Sequence, residues 1–491
     1  LFGKNSAAGV VHMRTVDPEP EWAADADALI GMDNHYRLRG ALQGPVFSDD
    51  LSFRVAFLRE AREGLTYNTT LGKDEEDLDN YSGRVKLLWE PTSTLSIKLA
   101  VNGNTVNQGG SGQQLIKVLP RHRAAMEFFD PAVSDSFTDD RSHTDAPGFV
   151  DRDTWDTTLT VNWDIGEYTL TAVTGYAGYD DKTGGDLDAT AFPVIGGFYE
   201  QTYDQFTQEL RLTSGPGFID FVGGLFYMHS ATEASVDIDL LRNITLDQTT
   251  ANLLPSLLGG ITDPILDQVL GGIGLGTLFE GDALIGAYEI EIDSYAGFLQ
   301  ANINFTDTFK AILGGRYTFE EKYFIASLSP ENAVSIWNIY LGGSGYQDEV
   351  REFSETDFSP KVSLTWDPIE EITLYGTYAR GYRAGSFNIT ALTADDLQFD
   401  SEVSYTIDFG AKTEFWDQRA RFNIGFFQTD YDNLQLSTFQ SVTFVNSNAE
   451  EAQIKGMEAD LTILPIEGML VTLAAGYTDA QFVKHTKAGC P

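Results

Sequence analysis

The stretch FSPKVSLTWDPIEEITLYGTYARGYRAGSFN, from Phe358 to Asn388, holds two strands and the turn between them in one line. Val362, Leu364 and Trp366 alternate with Lys361, Ser363 and Thr365, and after Asp367-Pro368 the alternation resumes with Ile372, Leu374 and Tyr378 against Thr373 and Thr377. A period of two marks a strand with one apolar and one polar face. The Asp-Pro pair predicts a tight reversal there, because proline fixes φ and offers no N–H to a ladder. Two architectures suit such a hairpin. In a water-soluble sandwich the apolar face turns into a core, whereas in a transmembrane barrel it meets lipid and the polar face lines a lumen. Repetition, strand length and the placing of aromatic residues decide between them.

The pattern repeats from Trp22 onward, with strands predicted over 28–30, 36–47 and 51–60. Tyr81, Gly83, Val85, Leu87 and Trp89 then alternate with Ser82, Arg84 and Lys86; past Pro91-Thr92-Ser93, Leu95, Ile97, Leu99 and Val101 alternate with Ser96, Lys98 and Asn102. Each strand reaches about ten residues, the length a tilted transmembrane strand needs. Later strand pairs meet at short reversals over 164–167, 215–217, 306–308, 417–419 and 465–468, and between pairs lie long segments over 107–152, 180–203, 234–288, 327–352 and 389–401. Loops that long count against a compact soluble domain. Tight turns at one end and long loops at the other, in strict alternation, are the asymmetry of an outer-membrane barrel.

The polar faces agree. Asp408, Lys412 and Glu414 oppose Ile407, Phe409, Ala411 and Phe415, while Glu458 and Asp460 oppose Met457, Ala459 and Leu461. A lysine or arginine at mid-depth on the lipid side costs about 2–4 kcal/mol, so these charges belong to a wet or plugged interior. Tyr81, Trp89, Trp163, Trp366, Tyr378 and Trp416 fall near strand ends, where aromatic girdles sit. The alternation yields about seventeen strands, an odd number that fits a barrel cut before its closing strands.

Composition narrows the function. Of 491 residues, 73 are acidic and 32 basic, a formal net charge of −41 that phosphate backbones would repel, so a nucleic-acid partner is excluded. The single cysteine, Cys490, excludes an internal disulfide, and the six histidines show no zinc-protease spacing. The most apolar segment, 253–278, is broken by Pro255, Asp263, Pro264 and Asp267 and would not span a bilayer as a helix. The Gly-rich GGIGLG at 271–276 follows no strand and reads as loop. The acidic segment 130–156 has no EF-hand spacing and reads as a solvated loop. Without a nucleophile elbow, an alignable Ser/His/Asp set or a P-loop, no catalytic residue, cofactor or metal site is expected. The chain starts at Leu1 without a signal peptide and stops just after a strand-like run, and is expected to be a fragment lacking both ends.

Three motifs carry a family likeness. LYGTYARGYRAGSFN (Leu374 to Asn388), LFGKNSAAGVVHMRT (Leu1 to Thr15, with Lys4, Asn5 and Gly9) and NAEEAQIKGMEADLTILP (Asn448 to Pro465, with Lys455, Gly456 and Glu458) occur in the order seen in TonB-dependent receptors of Gram-negative outer membranes, which the chain resembles. The resemblance implies an all-β, antiparallel transmembrane β-barrel, about 17 of 22 strands being present, with long extracellular loops. Residues 1–20 would be the end of the plug domain and its linker, and 21–491 a C-terminally truncated barrel. The implied function is energised uptake of a scarce ligand, a ferric siderophore before others, driven by TonB acting on the missing N-terminal region. Cobalamin, a saccharide or an aromatic compound are alternative cargoes, and a passive porin-like channel is the alternative device. Partners would be TonB with its inner-membrane energising complex, the ligand, and outer-membrane lipid and lipopolysaccharide, the last through divalent cations bridging surface carboxylates.

Ligand contact is expected from Arg380, Tyr382 and Arg383, beyond the apolar belt on a rising strand, because guanidinium and phenol suit an anionic, aromatic chelate. Arg316 and Tyr323, near the top of another rising strand, are secondary candidates, and 253–278 is a candidate lid. A barrel-borne hydrolase and a soluble β-rich binding protein are the remaining rivals; the second would bury Val85, Leu87 and Trp89.

Overall fold

The computed structural model describes residues 13–110, 112–118, 120, 123, 126, 127, 130–136, 138–191, 195–240, 282–332, 335, 337, 345–389, 391–440 and 443–484. The segment 253–278, the glycine-rich run 271–276, Cys490 and most of the Leu1–Thr15 motif lie outside them.

One antiparallel sheet of 17 strands makes the wall. In chain order these are β1 (Ala23–Ile30), β2 (Tyr36–Pro45), β3 (Leu51–Arg62), β4 (Asp77–Thr92), β5 (Leu95–Gly109), β6 (Phe149–Ile165), β7 (Tyr168–Asp186), β8 (Ile195–Ser214), β9 (Ile219–Leu240), β10 (Asp282–Asn304), β11 (Phe309–Pro330), β12 (Tyr346–Ile369), β13 (Ile372–Arg383), β14 (Glu402–Phe415), β15 (Ala420–Gln440), β16 (Thr443–Ile463) and β17 (Val471–Lys484). Each pairs with its sequence neighbours, and no pairing joins β1 to β17 among the described residues. The apolar face looks out. Val362, Leu364 and Trp366 are 42%, 48% and 49% exposed, whereas Ser363 between them is 7% exposed.

The polar face is concave. Lys322 of β11 and Gln435 of β15 reach the adjacent carbonyls of Gly385 and Ala384. Four strand spacings, about 19 Å on a flat sheet, separate those strands. Only a wall curled toward this face brings both to one point.

Two aromatic girdles bound the outward apolar band. The outer one runs through Trp155–Tyr176, Phe206–Tyr227, Tyr227–Tyr295 and Tyr295–Phe319, with ring centroids 4.7, 6.2, 5.0 and 6.3 Å apart. The inner one includes Tyr168–Phe221, Phe218–Phe305 and Phe305–Phe309, at 6.4, 6.4 and 5.6 Å. Trp155 and Trp163 on β6 thus lie eight residue steps apart, about 27 Å along the strand and about 20 Å once tilted, close to the apolar height of an outer-membrane barrel.

Three expectations need correction. Strands are far longer than ten residues, reaching 24 in β12, so that 180–186, 195–203, 234–240, 282–288, 327–330 and 346–352, expected to be loop, are strand. Above the outer girdle the outward positions turn acidic (Asp204, Glu233, Asp293, Glu321), and the ladders continue there in water. Long and short connections do not alternate strictly, since β1 and β2 are joined by 31–35 and the β15–β16 ladder closes at Gln440↔Thr443. The reversal after Trp366 is at Glu370-Glu371, not Asp367-Pro368: β12 continues to Ile369, which pairs with Ile372 across a bulge. The same device recurs at Trp89-Glu90-Pro91-Thr92, where Thr92 pairs with Leu95. A proline that cannot donate displaces the ladder by one step rather than ending it.

The acidic segment 130–156, expected to be a solvated loop, is not one throughout: 149–156 belong to β6, and Asp130 and His143 are buried. Short strands Thr66–Asn68, Lys73–Glu75 and Arg141–Ser142 form a small sheet over a buried polar core. Glu75 accepts from Asn68 Nδ2 (2.9 Å) and Ser142 Oγ (2.6 Å), and Asp130 accepts from Thr69 Oγ1 (2.6 Å) and pairs with His143 Nδ1 (2.7 Å). Burial works to raise the Asp130 carboxyl, but hydrogen bonds from Thr69, Ala132 and His143 hold it below the usual range.

Candidate functional site

The candidate site lies at the outer end of the concave face. Side chains of β9 to β11 that alternate inward there are apolar: Val236, Ile238, Leu284, Tyr288, Phe324, Ala326 and Leu328. They are covered by residues 384–400, which fold into the mouth instead of over its rim. Phe387 stacks on Phe324 at 4.4 Å and 8° and meets Phe353 edge-on at 5.3 Å, with Ala391 and Leu397 buried in the same cluster.

Backbone carbonyls of this inward segment are held from both sides. Tyr346 Oη donates to Ala391 O (3.0 Å), Gln435 Nε2 to Ala384 O (2.9 Å) and Asp400 O (3.0 Å), and Asn448 Nδ2 to Asp400 O (2.9 Å). Asn388 and Asn446 exchange bonds, Asn388 Nδ2 donating to Asn446 O and Asn446 N to Asn388 Oδ1, each at 2.8 Å. The segment is a strap from β11–β12 to β15–β16.

Arg380 and Tyr382 stitch the wall. The β12–β13 ladder stops at Lys361↔Ala379, and the next residue of β12 is Pro360. β13 stays with β14 up to Arg383↔Glu402. Into the parted seam Arg380 sends its guanidinium, bonding the Asp357 carboxylate and Phe358 O (2.8 Å). The Tyr382 hydroxyl is buried beside the Glu355 carboxylate. Lys322, almost fully buried, bridges Glu320 (2.7 Å) and Glu355 (2.8 Å) and donates to Gly385 O.

The other sequence candidates are scattered. Arg383 stands exposed at the end of β13. Arg316 is buried on the concave face at the level of the outer girdle, its Nε donating to Thr318 Oγ1 (3.2 Å) and its guanidinium 5.3 Å from the centre of the Phe226 ring. It is not near the top of its strand, which runs on to Pro330. Tyr323 has the parity of Leu313 and Tyr317, both exposed outward, and so points away from the lumen.

Sequence reading missed a group of inward tyrosines. Tyr179 and Tyr203 face each other across β7–β8 with rings stacked at 5.2 Å, and the hydroxyls of Tyr199 and Tyr288 lie 2.6 Å apart. Beside them Arg152 holds Asp181 with two bonds of 3.0 and 3.1 Å. The signal was parity: Tyr199 and Tyr203 sit in phase with Gln205 and Glu209 on β8's polar face. Such a surface can stack on rings and exchange hydrogen bonds with hydroxyl-bearing ligands.

Just outside the membrane, Asp145, Asp186 and Asp188 crowd where the loop 110–148 meets the end of β7. Asp186 accepts from the backbone N–H of Asp145 (3.0 Å), Asp188 (2.7 Å) and Ala189 (2.8 Å). Burial, then the Asp188 charge, pushes the Asp186 carboxyl up to about 8. Burial pushes Asp188 up to about 6 and raises Asp145 as well.

Residues 101–489 match the family model described as TonB dependent receptor-like, beta-barrel. The chain belongs to this family. It is a multi-pass β-barrel of the outer membrane. Among solved structures it is similar to the ferric yersiniabactin uptake receptor FyuA from Yersinia pestis (TM-score 0.71, 16% identity, covering 95% of this chain and 62% of that one). It is also similar to the siderophore receptor PiuA from Acinetobacter baumannii (TM-score 0.67, 14% identity, 97% and 66%). A third likeness is to the copper transporter OprC (TM-score 0.61, 13% identity, 96% and 63%). The chain thus spans 62–66% of the length of these proteins. At such identities the likeness is one of fold.

Proposed function

We propose that this chain is the barrel part of a TonB-dependent transporter that takes up a scarce ligand through the outer membrane, a ferric siderophore before other cargoes. Residues 1–20 are then the end of a plug and its linker, and 21–491 barrel wall. The observation that carries the reading is the mouth itself: an inward-facing surface of phenols, rings and matched charges at the outer end of a family barrel. Its phenols and rings can stack on a ligand and hydrogen-bond it, which suits a receptor. Energy then comes from TonB working on the plug. The names of FyuA and PiuA support iron chelates, while that of OprC shows that the same fold serves another metal.

The inward strap 384–400 favours one second reading, since a passive channel also narrows its lumen with an infolded loop. Uptake of radio-iron chelates by cells carrying the full-length protein, with and without TonB, separates the two. Energised transport predicts uptake abolished without TonB; uptake that persists sinks the proposal in favour of passive flow.

A further inference from the structure

In a chain of net charge −41, one part of the concave face gathers arginines. A cavity of about 680 Å³ against β1 to β4 is lined by Arg37, Arg39, Arg54 and Arg84, with Asp25, Asp27 and Glu60 as its carboxylates. Those acids do not absorb the four guanidinium groups. Arg39 takes Asp27 at 2.6 Å. Glu60 is engaged by His35 at 2.8 Å. Arg54 is bonded to the Gln43 amide at 2.6 Å and only distantly, at 3.5 Å, to Asp25. Arg84 bonds the Asn102 amide oxygen, and Arg37 Nε is buried with no acceptor.

The position is equally telling. Arg59 lies between the outward rings of Tyr81 and Tyr36, 3.9 and 5.6 Å from their centres, which marks the outer interface on this side. Arg37, next to Tyr36 and turned inward, is at the same level, so the cavity occupies the outer half of the lumen. Lower on the same wall, Lys86 (2.9 Å) and Lys98 (3.0 Å) already clasp a carboxylate, that of Asp17. This wall is built to receive anionic oxygen.

We infer that the Arg37–Arg39–Arg54–Arg84 cavity is a binding site for a carboxylate- or phosphate-bearing ligand, separate from the tyrosine-lined mouth. Guanidinium forks pair two-pronged with such groups and stay charged at every working pH. The inference rests on the uptake reading and deepens it: the cargo is an anionic chelate whose acid groups pass from mouth to cavity.

The test uses the full-length protein in detergent, with Arg37→Gln and Arg84→Gln variants, titrated calorimetrically with ferric citrate, a neutral ferric trihydroxamate and iron-free citrate. The site predicts ferric citrate and citrate binding weakened about ten- to a hundredfold, the worth of one or two charge-assisted bonds, with trihydroxamate binding unchanged. Retained heat-modifiable mobility on gels shows that a variant is folded, and either variant alone gives the answer. Unchanged affinity for both citrate species overturns the inference, as does equal weakening for all three probes. Unchanged binding with a lowered melting temperature also overturns it, and makes the cavity a seat for the plug. Failure of the uptake reading looks different: neither ferric chelate binds the wild type and uptake ignores TonB, while iron-free citrate still reports on the cavity.

Discussion

At the scale of single residues, charge in this lumen is mostly spent on holding the wall together. Lys322 is the sharpest case, with its side chain and that of Glu320 both almost out of solvent. Removing a partner from such a buried pair costs about 3–5 kcal/mol, so Lys322→Met destabilises the detergent-solubilised protein by that amount, lowers its unfolding midpoint and frees the strap. Loss of midpoint without new protease sites in 384–400 would show that Lys322 does not hold the strap. Asp186 makes the opposite prediction. Its carboxyl, near 8 in the fold and near the ordinary aspartate value when unfolded, keeps its proton in the native state across a range where the unfolded chain has lost it. Stability is therefore lost as pH rises from about 4 to about 8 and flat above that. Limited proteolysis of the outer loops should be slower at pH 5.5 than at pH 8.5, and Asp186→Asn should shrink the difference, leaving the smaller part that Asp188 contributes; a wild type indifferent to pH contradicts it. Sequence could not foresee either group, because both depend on which residues a distant loop covers. Arg380 and Tyr382 were legible as special, but not their duty in the seam, since nothing in the sequence shows that β12 and β13 part after Pro360.

At the scale of elements, alternation was the readable signal. It located the strands and the aromatic residues that bound them, and it assigned Val362, Leu364 and Trp366 to one face. It misjudged where strands stop, because outside the membrane both faces are polar and the period fades while the ladder persists. It misread Pro91 and Pro368 as turns because proline's lack of a donor is equally served by a bulge. Phe387 gives the strap its apolar anchor, so Phe387→Ala should cost about 3–5 kcal/mol locally and expose 384–400 to protease. Protection unchanged from wild type would show that the side-chain and carbonyl bonds alone suffice.

At the scale of the whole molecule, a band of outward apolar side chains lies between two aromatic girdles, with charge inside. A lysine or arginine on the lipid face is then far costlier than one on the lumen face. Leu364→Arg should destabilise the folded state in lipid by about 2–4 kcal/mol, and Thr365→Arg by much less; equal costs would mean that the two faces see the same medium. The same orientation places the mouth and the arginine cavity in one aqueous lumen, which a transporter needs.

The most direct measurement reads that orientation residue by residue. Single cysteines at positions 361 to 366 of a Cys490→Ser background, labelled with a polarity-sensitive fluorophore and folded into lipid vesicles, report the medium at each side chain. Apolar emission quenched by brominated lipid at 362, 364 and 366, alternating with water-like emission at 361, 363 and 365, is the predicted result. Uniform emission, or quenching at 361, 363 and 365 instead, contradicts a lipid-facing apolar surface and with it the transporter.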